Sequence, residues 1–168
     1  KSDHVRALVA SAVETYGRID CAHNNAGVAG ALAETHEYPE DVWDRLIGVN
    51  LKGVWLCMKY EIELMLAGGG GSIVNTGSIS SLLAGGTAAY SASKHGVLGL
   101  TRQAAYEYGT RGIRVNAVCP SLVKTPMTQE VFAQAPDLEA KWLNKQLSGR
   151  FAEPEEIAEA VVYLCSDA

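Results

Sequence analysis

Ser72-Ile73-Val74-Asn75-Thr76-Gly77-Ser78 is a short, mostly apolar run set between four glycines, Gly68 to Gly71, and a loop rich in Ser, Gly and Ala. Its length and its glycine punctuation read as a central β-strand. The segments on either side of it decide the fold. Upstream, Val42, Trp43, Leu46, Ile47, Asn50, Leu51, Val54, Trp55, Met58, Ile62 and Met65 recur at helical spacing. They predict one long helix over 39–67, opened by Pro39 at its first position and stopped by the glycines, with a single polar residue, Asn50, on its apolar side. Downstream, a second helix is predicted over 88–108, ending at Gly109. Its small residues, Ala88, Ala89, Ser91, Ala92, Ser93, Gly96 and Gly99, require a neighbour packed close to its backbone.

Further out the pattern repeats. Arg18 to His23 reads as a buried strand that runs into the polar turn Asn24-Asn25-Ala26-Gly27, and Ile113 to Cys119 reads as a third strand halted by Pro120. Val5, Leu8, Val9, Ala12, Val13 and Tyr16 form an opening helix, with Ser2 or Asp3 placed to cap it and Gly17 to end it. Residues 28–38 and 121–126 read as loops, 127–147 as a weakly patterned helical region, and Pro154 to Leu164 as a last helix. Strands alternating with helices at these distances mean βαβ units, hence an α/β fold: a doubly wound parallel sheet of Rossmann type, in three α/β/α layers. No linker or repeat divides the chain, so 1–168 is expected to be a single domain.

Composition narrows the function. An apolar fraction of 48% with 20% charged residues is ordinary for a globular protein. The net charge of −5, with acids and bases interspersed, argues against nucleic acid as a partner, which usually meets a basic face. No apolar run is long enough to span a bilayer, and Lys1-Ser2-Asp3-His4 does not resemble a signal peptide. Cys21, Cys57, Cys119 and Cys165 are widely spaced in apolar stretches and read as reduced, buried side chains in a cytoplasmic protein. His4, His36 and His95 lie in polar or helix-surface contexts without metal-ligand spacing, so no metal is expected.

In such a sheet, ligands bind beyond the carboxyl ends of the strands. The three strands end at Asn24 to Gly27, at Ser78 and at Pro120, which would line one rim. Tyr90 and Lys94, one helical turn apart in the first turns of the helix after Ser78, face the same rim. An ammonium held near a phenol favours the phenolate, which makes Tyr90 a candidate acid/base.

Taken together, Asn24-Asn25-Ala26-Gly27, Val49-Asn50, Ser78 after Ile73-Val74-Asn75, Tyr90-Ser91-Ala92-Ser93-Lys94, and Arg114 to Pro120 followed by Thr125-Pro126-Met127 resemble the short-chain dehydrogenase/reductase family, in order and over essentially the whole chain. The resemblance implies hydride transfer between a secondary alcohol or carbonyl substrate and NAD or NADP. It implies four catalytic residues: Tyr90 as acid/base, Ser78 as hydrogen-bond partner of the reacting oxygen, Lys94 lowering the tyrosine pKa and holding the nicotinamide ribose, and Asn50 anchoring a water that relays protons. On the cofactor side it implies Asn25, Ala26 and Gly27 beneath the adenosine ribose, with Pro120, Val123 and Thr125 at the carboxamide and Tyr90 and Lys94 shared. Ser121 stands where the family commonly has glycine, a change that an outward-pointing side chain tolerates.

The family's Gly-rich phosphate turn is not found in this sequence, and Gly68 to Gly71, which leaves a helix and enters a strand, is no substitute for it. The chain is therefore expected to be an internal piece, with one long sheet edge unpaired and its final strand missing after Ser166-Asp167-Ala168. A different class of function follows from that expectation, a truncated non-catalytic remnant that only binds or oligomerises. A serine hydrolase is disfavoured because Thr76-Gly77-Ser78-Ile79-Ser80 is not a GxSxG elbow. The resemblance further implies a homo-oligomer, dimer or tetramer, through helices 39–67 and 88–108. It also implies a substrate lid from Ser121 to about Arg150 facing Leu82, Leu83 and Ala84.

Overall fold

Fifteen residues, Ser2–Tyr16, form α1, which Gly17 ends in the left-handed conformation. This computed structural model describes residues 1–167; Ala168 lies outside them. Neither Ser2 nor Asp3 caps α1, because Lys1 holds the cap position and the Ser2 hydroxyl pairs instead with the Tyr60 hydroxyl at 2.6 Å. Strand β1 is Cys21–Asn24. After a loop with one short 3-10 turn, Thr35–Glu37, helix α2 runs over Glu40–Ile47, with Pro39 as its cap rather than its first residue.

The predicted long helix is not uniform. Gly48–Gly53 forms a π-helical turn before α3, Val54–Gly68, and Asn50 lies fully buried inside that turn. Strand β2, Gly71–Thr76, is followed by the 3-10 turn Ile79–Ser81 and by α4, Ala88–Tyr108. Gly109 does not end the helix in a left-handed cap. It continues into a 3-10 turn, Gly109–Arg111, that Gly112 closes at φ 82. Strand β3 is Ile113–Val118, and α5 (Pro126–Gln134), α6 (Asp137–Leu143) and α7 (Pro154–Cys165) complete the order.

The sheet is parallel with β2 in the middle, flanked by β1 and β3. Cys21 pairs with Ser72 and Asn24 with Asn75 on one side; Gly71 pairs with Ile113 and Thr76 with Val118 on the other. Among the described residues both outer strands keep an unpaired edge, rather than the single one expected. Alternation along the strands sorts side chains between two faces. Ile73, Ile113 and Val115 turn toward α3 and α4, where they join Val54, Met58, Ile62, Met65, Val97 and Ala104 in the core. On the opposite face Ser72 and Arg114 both donate to the carbonyl of Leu164 in α7, and Cys21 donates to that of Cys165. Helices therefore cover both sides of the sheet.

Two loops cross where β2 and β3 begin, and there the backbone leaves no room for a side chain. Gly70 has φ 131, and a Cβ on it would lie 2.5 Å from the Gly112 carbonyl oxygen. The four cysteines are unpaired, and Cys21 is exposed while the others are half-buried, not buried as expected. Cys21 lies on an outer strand, which leaves its thiol open. No helix among the described residues is long and apolar enough to cross a membrane.

Candidate active site

The carboxyl ends of β1, β2 and β3 open onto a cavity of about 600 Å³. Asn25, Ala26, Gly27, Ser78, Tyr90, Lys94, Pro120, Val123 and Thr125 all line it, so the structure brings together every predicted site residue except Asn50, which lies behind the wall. The expected lid contributes Ser121, Pro126, Met127 and Thr128. Leu82, Leu83 and Ala84 are exposed and do not reach the cavity. A shallower hollow of about 470 Å³ on the outer face of α7, bounded by Glu155, Ala158, Glu159, Val162, Tyr163 and Ser166, contains none of these groups.

Asn50 supports the cavity from behind. Its Oδ1 accepts from Val28 N–H at 2.8 Å and its Nδ2 donates to the Val28 carbonyl at 2.9 Å, so one side chain clamps the loop that follows β1 by both backbone groups. Nδ2 also reaches Ser93 Oγ of α4 at 3.5 Å. Gly27, just before Val28, lies beside this clamp. A Cβ on Gly27 would lie 3.4 Å from Asn50 Oδ1 and 3.9 Å from Lys94 Nζ, ordinary van der Waals contact, so Gly27 brings the loop backbone close to both side chains without being the only residue that fits there.

Ser78 ends β2 as cap of the turn Ile79–Ser81. Its N–H donates to Ser81 Oγ and its Oγ accepts from Ser80 N–H, each at 3.1 Å. Because Oγ is already the acceptor of one bond, its own proton is left to be donated elsewhere. The two readings of this serine, cap and catalytic partner, are thus compatible.

Lys94 is 5% exposed. Its ammonium donates to the Thr76 carbonyl at 2.7 Å and sits 5.7 Å from the centre of the Tyr90 ring. Burial lowers its pKa from 10.5 to about 8, against a small upward influence of Cys119. Burial likewise pushes the Tyr90 phenol above its ordinary value, and hydrogen bonding with Ser78 pulls it back. The sequence-based expectation that Lys94 lowers the tyrosine therefore needs correction: here the lowering influence is Ser78. The physical reason is direction. Spacing of four places the two side chains side by side, but the ammonium is aimed at the β2 carbonyl and has lost its own solvation.

On the far wall, Ala152 N–H donates to the Leu122 carbonyl and Lys124 N–H to the Ala152 carbonyl, each at 2.9 Å, and Lys124 pairs with Glu153. These ties hold the strip from Pro120 to Thr125 against the start of α7. Within the strip the Val123 carbonyl accepts from Thr128 Oγ1 at 2.8 Å, and Thr125 caps α5. The Val123 N–H has no partner among the described residues. Ser121 is exposed at negative φ, so its departure from glycine introduces no strain.

The sequence reading missed His23 and Thr76, both of which line the cavity. Period-two alternation was the available signal, since His23 and Asn25 must share one face of β1 while Asn24 takes the other. There Asn24 donates to Glu61 and to Asn75, and Asn75 donates to Thr101, which ties β1, β2, α3 and α4 together. Among the described residues no group of His, Cys, Asp and Glu could hold a metal ion.

Comparison with known proteins agrees with this geometry. Residues 1–168 match the family described as Enoyl-(Acyl carrier protein) reductase. Cyclohexanol dehydrogenase of Acinetobacter sp. (strain SE19) is 43% identical over 166 residues, covering 98% of this chain and 64% of its own. A short chain dehydrogenase/reductase of Aspergillus oryzae (strain ATCC 42149 / RIB 40) is 44% identical, covering 100% of this chain and 66% of its own. The chain thus spans somewhat less than two thirds of the length of these relatives. The crystal structure of NAD+-bound xylitol dehydrogenase superposes with a TM-score of 0.93 at 30% identity, covering 99% of this chain and 70% of that one. With the fold, the rim constellation and these relatives in agreement, the chain belongs to the short-chain dehydrogenase/reductase family.

Proposed function

We propose that the natural polypeptide carrying this chain is an NAD(P)-dependent oxidoreductase that interconverts a secondary alcohol and its ketone. The observation that supports this reading most directly is the convergence of Tyr90, Ser78 and Lys94 on one cavity wall, with the Ser78 side chain hydrogen-bonded to Tyr90. A carbonyl that gains hydride becomes an alkoxide, which needs a proton and a hydrogen bond at the same oxygen. In the proposal Tyr90 exchanges that proton and Ser78 steadies the developing charge. Lys94 supplies the next proton donor behind the phenol, and a water at the turn around Asn50 extends the path.

The residues present fit a nicotinamide nucleotide. An ammonium, the unpartnered Val123 N–H and the uncommitted amide hydrogens of Asn25 face one cavity, a donor set suited to ribose hydroxyls and a carboxamide oxygen. When bound, that group supplies or accepts the hydride. Pro120, Val123 and Thr125 would hold its nicotinamide end, and Asn25, Ala26 and Gly27 the adenosine side. Assembly through 39–67 and 88–108 belongs to the same reading, supported by the exposed Trp43, Trp55 and Tyr106 on α2, α3 and α4. Mass measurement in solution of Trp55→Glu against wild type checks it, since an unchanged mass would leave these helices out of the interface.

Activity is checked by following the absorbance of reduced nicotinamide with a panel of cyclic and open-chain secondary alcohols, using Tyr90→Phe as comparison. The expected loss in kcat/KM is about 10²–10⁴-fold, the usual contribution of a positioned acid/base. A Tyr90→Phe enzyme as active as wild type would remove Tyr90 from its role. Wild type that neither turns over nor binds either nucleotide would favour the non-catalytic remnant.

A further inference from the structure

His23, Thr76 and Asn25 form a hydrogen-bonded chain across the cofactor-facing side of the sheet. Thr76 Oγ1 donates to Asn25 Oδ1 at 3.0 Å, and His23 Nε2 lies 2.9 Å from the same Thr76 Oγ1. A hydroxyl has one proton. Since Thr76 gives its proton to Asn25, it must accept from His23, which fixes the imidazole with its hydrogen on Nε2. The direction of the whole chain follows: His23 donates to Thr76, Thr76 donates to Asn25, and the Asn25 carbonyl oxygen is held against the sheet. The Asn25 amide nitrogen is then the end that remains, and it has no partner among the described residues. Burial lowers the His23 pKa, which keeps the ring neutral at neutral pH. The Nε2–H survives protonation as well, so the chain keeps its direction in acid.

The placement follows from the strand register. His23 pairs with Val74 and Asn24 with Asn75, so Asn25 falls beside Thr76, and alternation puts His23, Asn25 and Thr76 on one face. All three line the cavity. Asn24, one residue away, is turned to the other face and bonded to Glu61 and Asn75. The doublet Asn24-Asn25 therefore divides its work: the first amide ties the layers of the fold together, and the second faces the ligand.

We propose that His23 and Thr76 are positioning residues for nucleotide binding, acting through Asn25 by presenting its amide N–H groups to the adenosine-side ribose of NAD or NADP. This rests on the reading of the cavity as a nicotinamide-nucleotide site. Without the chain the amide can turn over, and half of its orientations would show an acceptor oxygen where a donor is needed.

The test uses the full natural polypeptide and measures dissociation constants for NAD and NADP together with kcat and KM. Thr76→Val and His23→Leu are expected to weaken the nucleotide it prefers by about 2–12-fold, the range for one oriented hydrogen bond, with the change appearing in nucleotide KM more than in kcat. Thr76→Ser and His23→Gln, which keep a hydroxyl and an N–H donor, are expected to recover most of the affinity. In an Asn25→Ala background His23→Leu should cost nothing further, because the residue through which it acts is gone. Additive losses in that background, or Thr76→Val and His23→Leu variants that bind as tightly as wild type, would overturn the chain while leaving the nucleotide site intact. Wild type that binds neither nucleotide overturns both.

Discussion

Replacing Lys94 by methionine separates what this site needs for chemistry from what the fold needs for stability. Lys94 is 5% exposed, and its pKa falls from 10.5 to about 8. A cation whose folded pKa lies below its unfolded value destabilises the folded state wherever both forms are charged, here by about 3 kcal/mol below pH 8. Between pH 8 and 10.5 the folded protein releases the proton while the unfolded chain retains it, so stability rises with pH and the penalty disappears. Methionine fills similar space without the charge, but it leaves the Thr76 carbonyl without its 2.7 Å donor, a loss of about 1–3 kcal/mol. The two effects nearly offset each other at pH 7, where Lys94→Met should match wild type or exceed it by up to about 2 kcal/mol. At pH 9.5 about 2 kcal/mol of the variant's advantage should be gone. Urea unfolding of both proteins at the two pH values reads this difference directly, and titrations shared by the two proteins cancel. A variant that loses more than about 2 kcal/mol at pH 7, or a difference that does not change with pH, would show that the buried ammonium is not penalised as argued.

Three further outcomes follow from other buried groups. Asn50→Ala strips both backbone partners from Val28 and should cost about 2–4 kcal/mol, a fall in Tm of about 5–15 °C; a calorimetric shift under 3 °C would contradict the clamp. Glu61 is buried against Asn24, and burial raises its pKa. The charged form is therefore disfavoured in the folded state, and Glu61→Gln should be more stable than wild type at neutral pH, with the gap closing as pH falls through the raised folded pKa and essentially closed once it reaches the ordinary glutamate value. Denaturant midpoints at pH 7 and pH 4 check the sign, and a variant less stable at pH 7 refutes it. Gly70→Ala, at φ 131 and facing the Gly112 carbonyl, should lose about 1–3 kcal/mol, while Gly85→Ala, with open space around it, should stay within about 0.5 kcal/mol. Equal Tm values for the two would remove the close approach between the loops.

Much of this was legible in the sequence because the signals were local. The bounds of α4 and the start of β3 fall where periodicity and glycine put them, and the rim at Asn25, Ser78 and Pro120 follows from strand ends alone. Three features were not legible, each for a physical reason. The π turn at Gly48–Gly53 differs from an α-helix by a single residue per turn, below what an i, i+4 pattern can resolve over six residues. The orientation of the Lys94 ammonium depends on the Thr76 carbonyl, a partner 18 positions away that no spacing rule on one helix can see. The exposure of Cys21 depends on its place in an outer strand, and strand order is not written in the strand.

The π turn also sets the phase of everything before it. An α-helix advances about 100° per residue, so an unbroken one would place Leu46 and Met58 about 120° apart around the axis. A turn that absorbs one extra residue reduces this to about 20°. Both residues are buried, and α2 and α3 both pack against α4. Gly48–Gly53 thus works as a rotational offset that brings Leu46 and Met58 closer in phase than an unbroken α-helix would, with Asn50 held at the join.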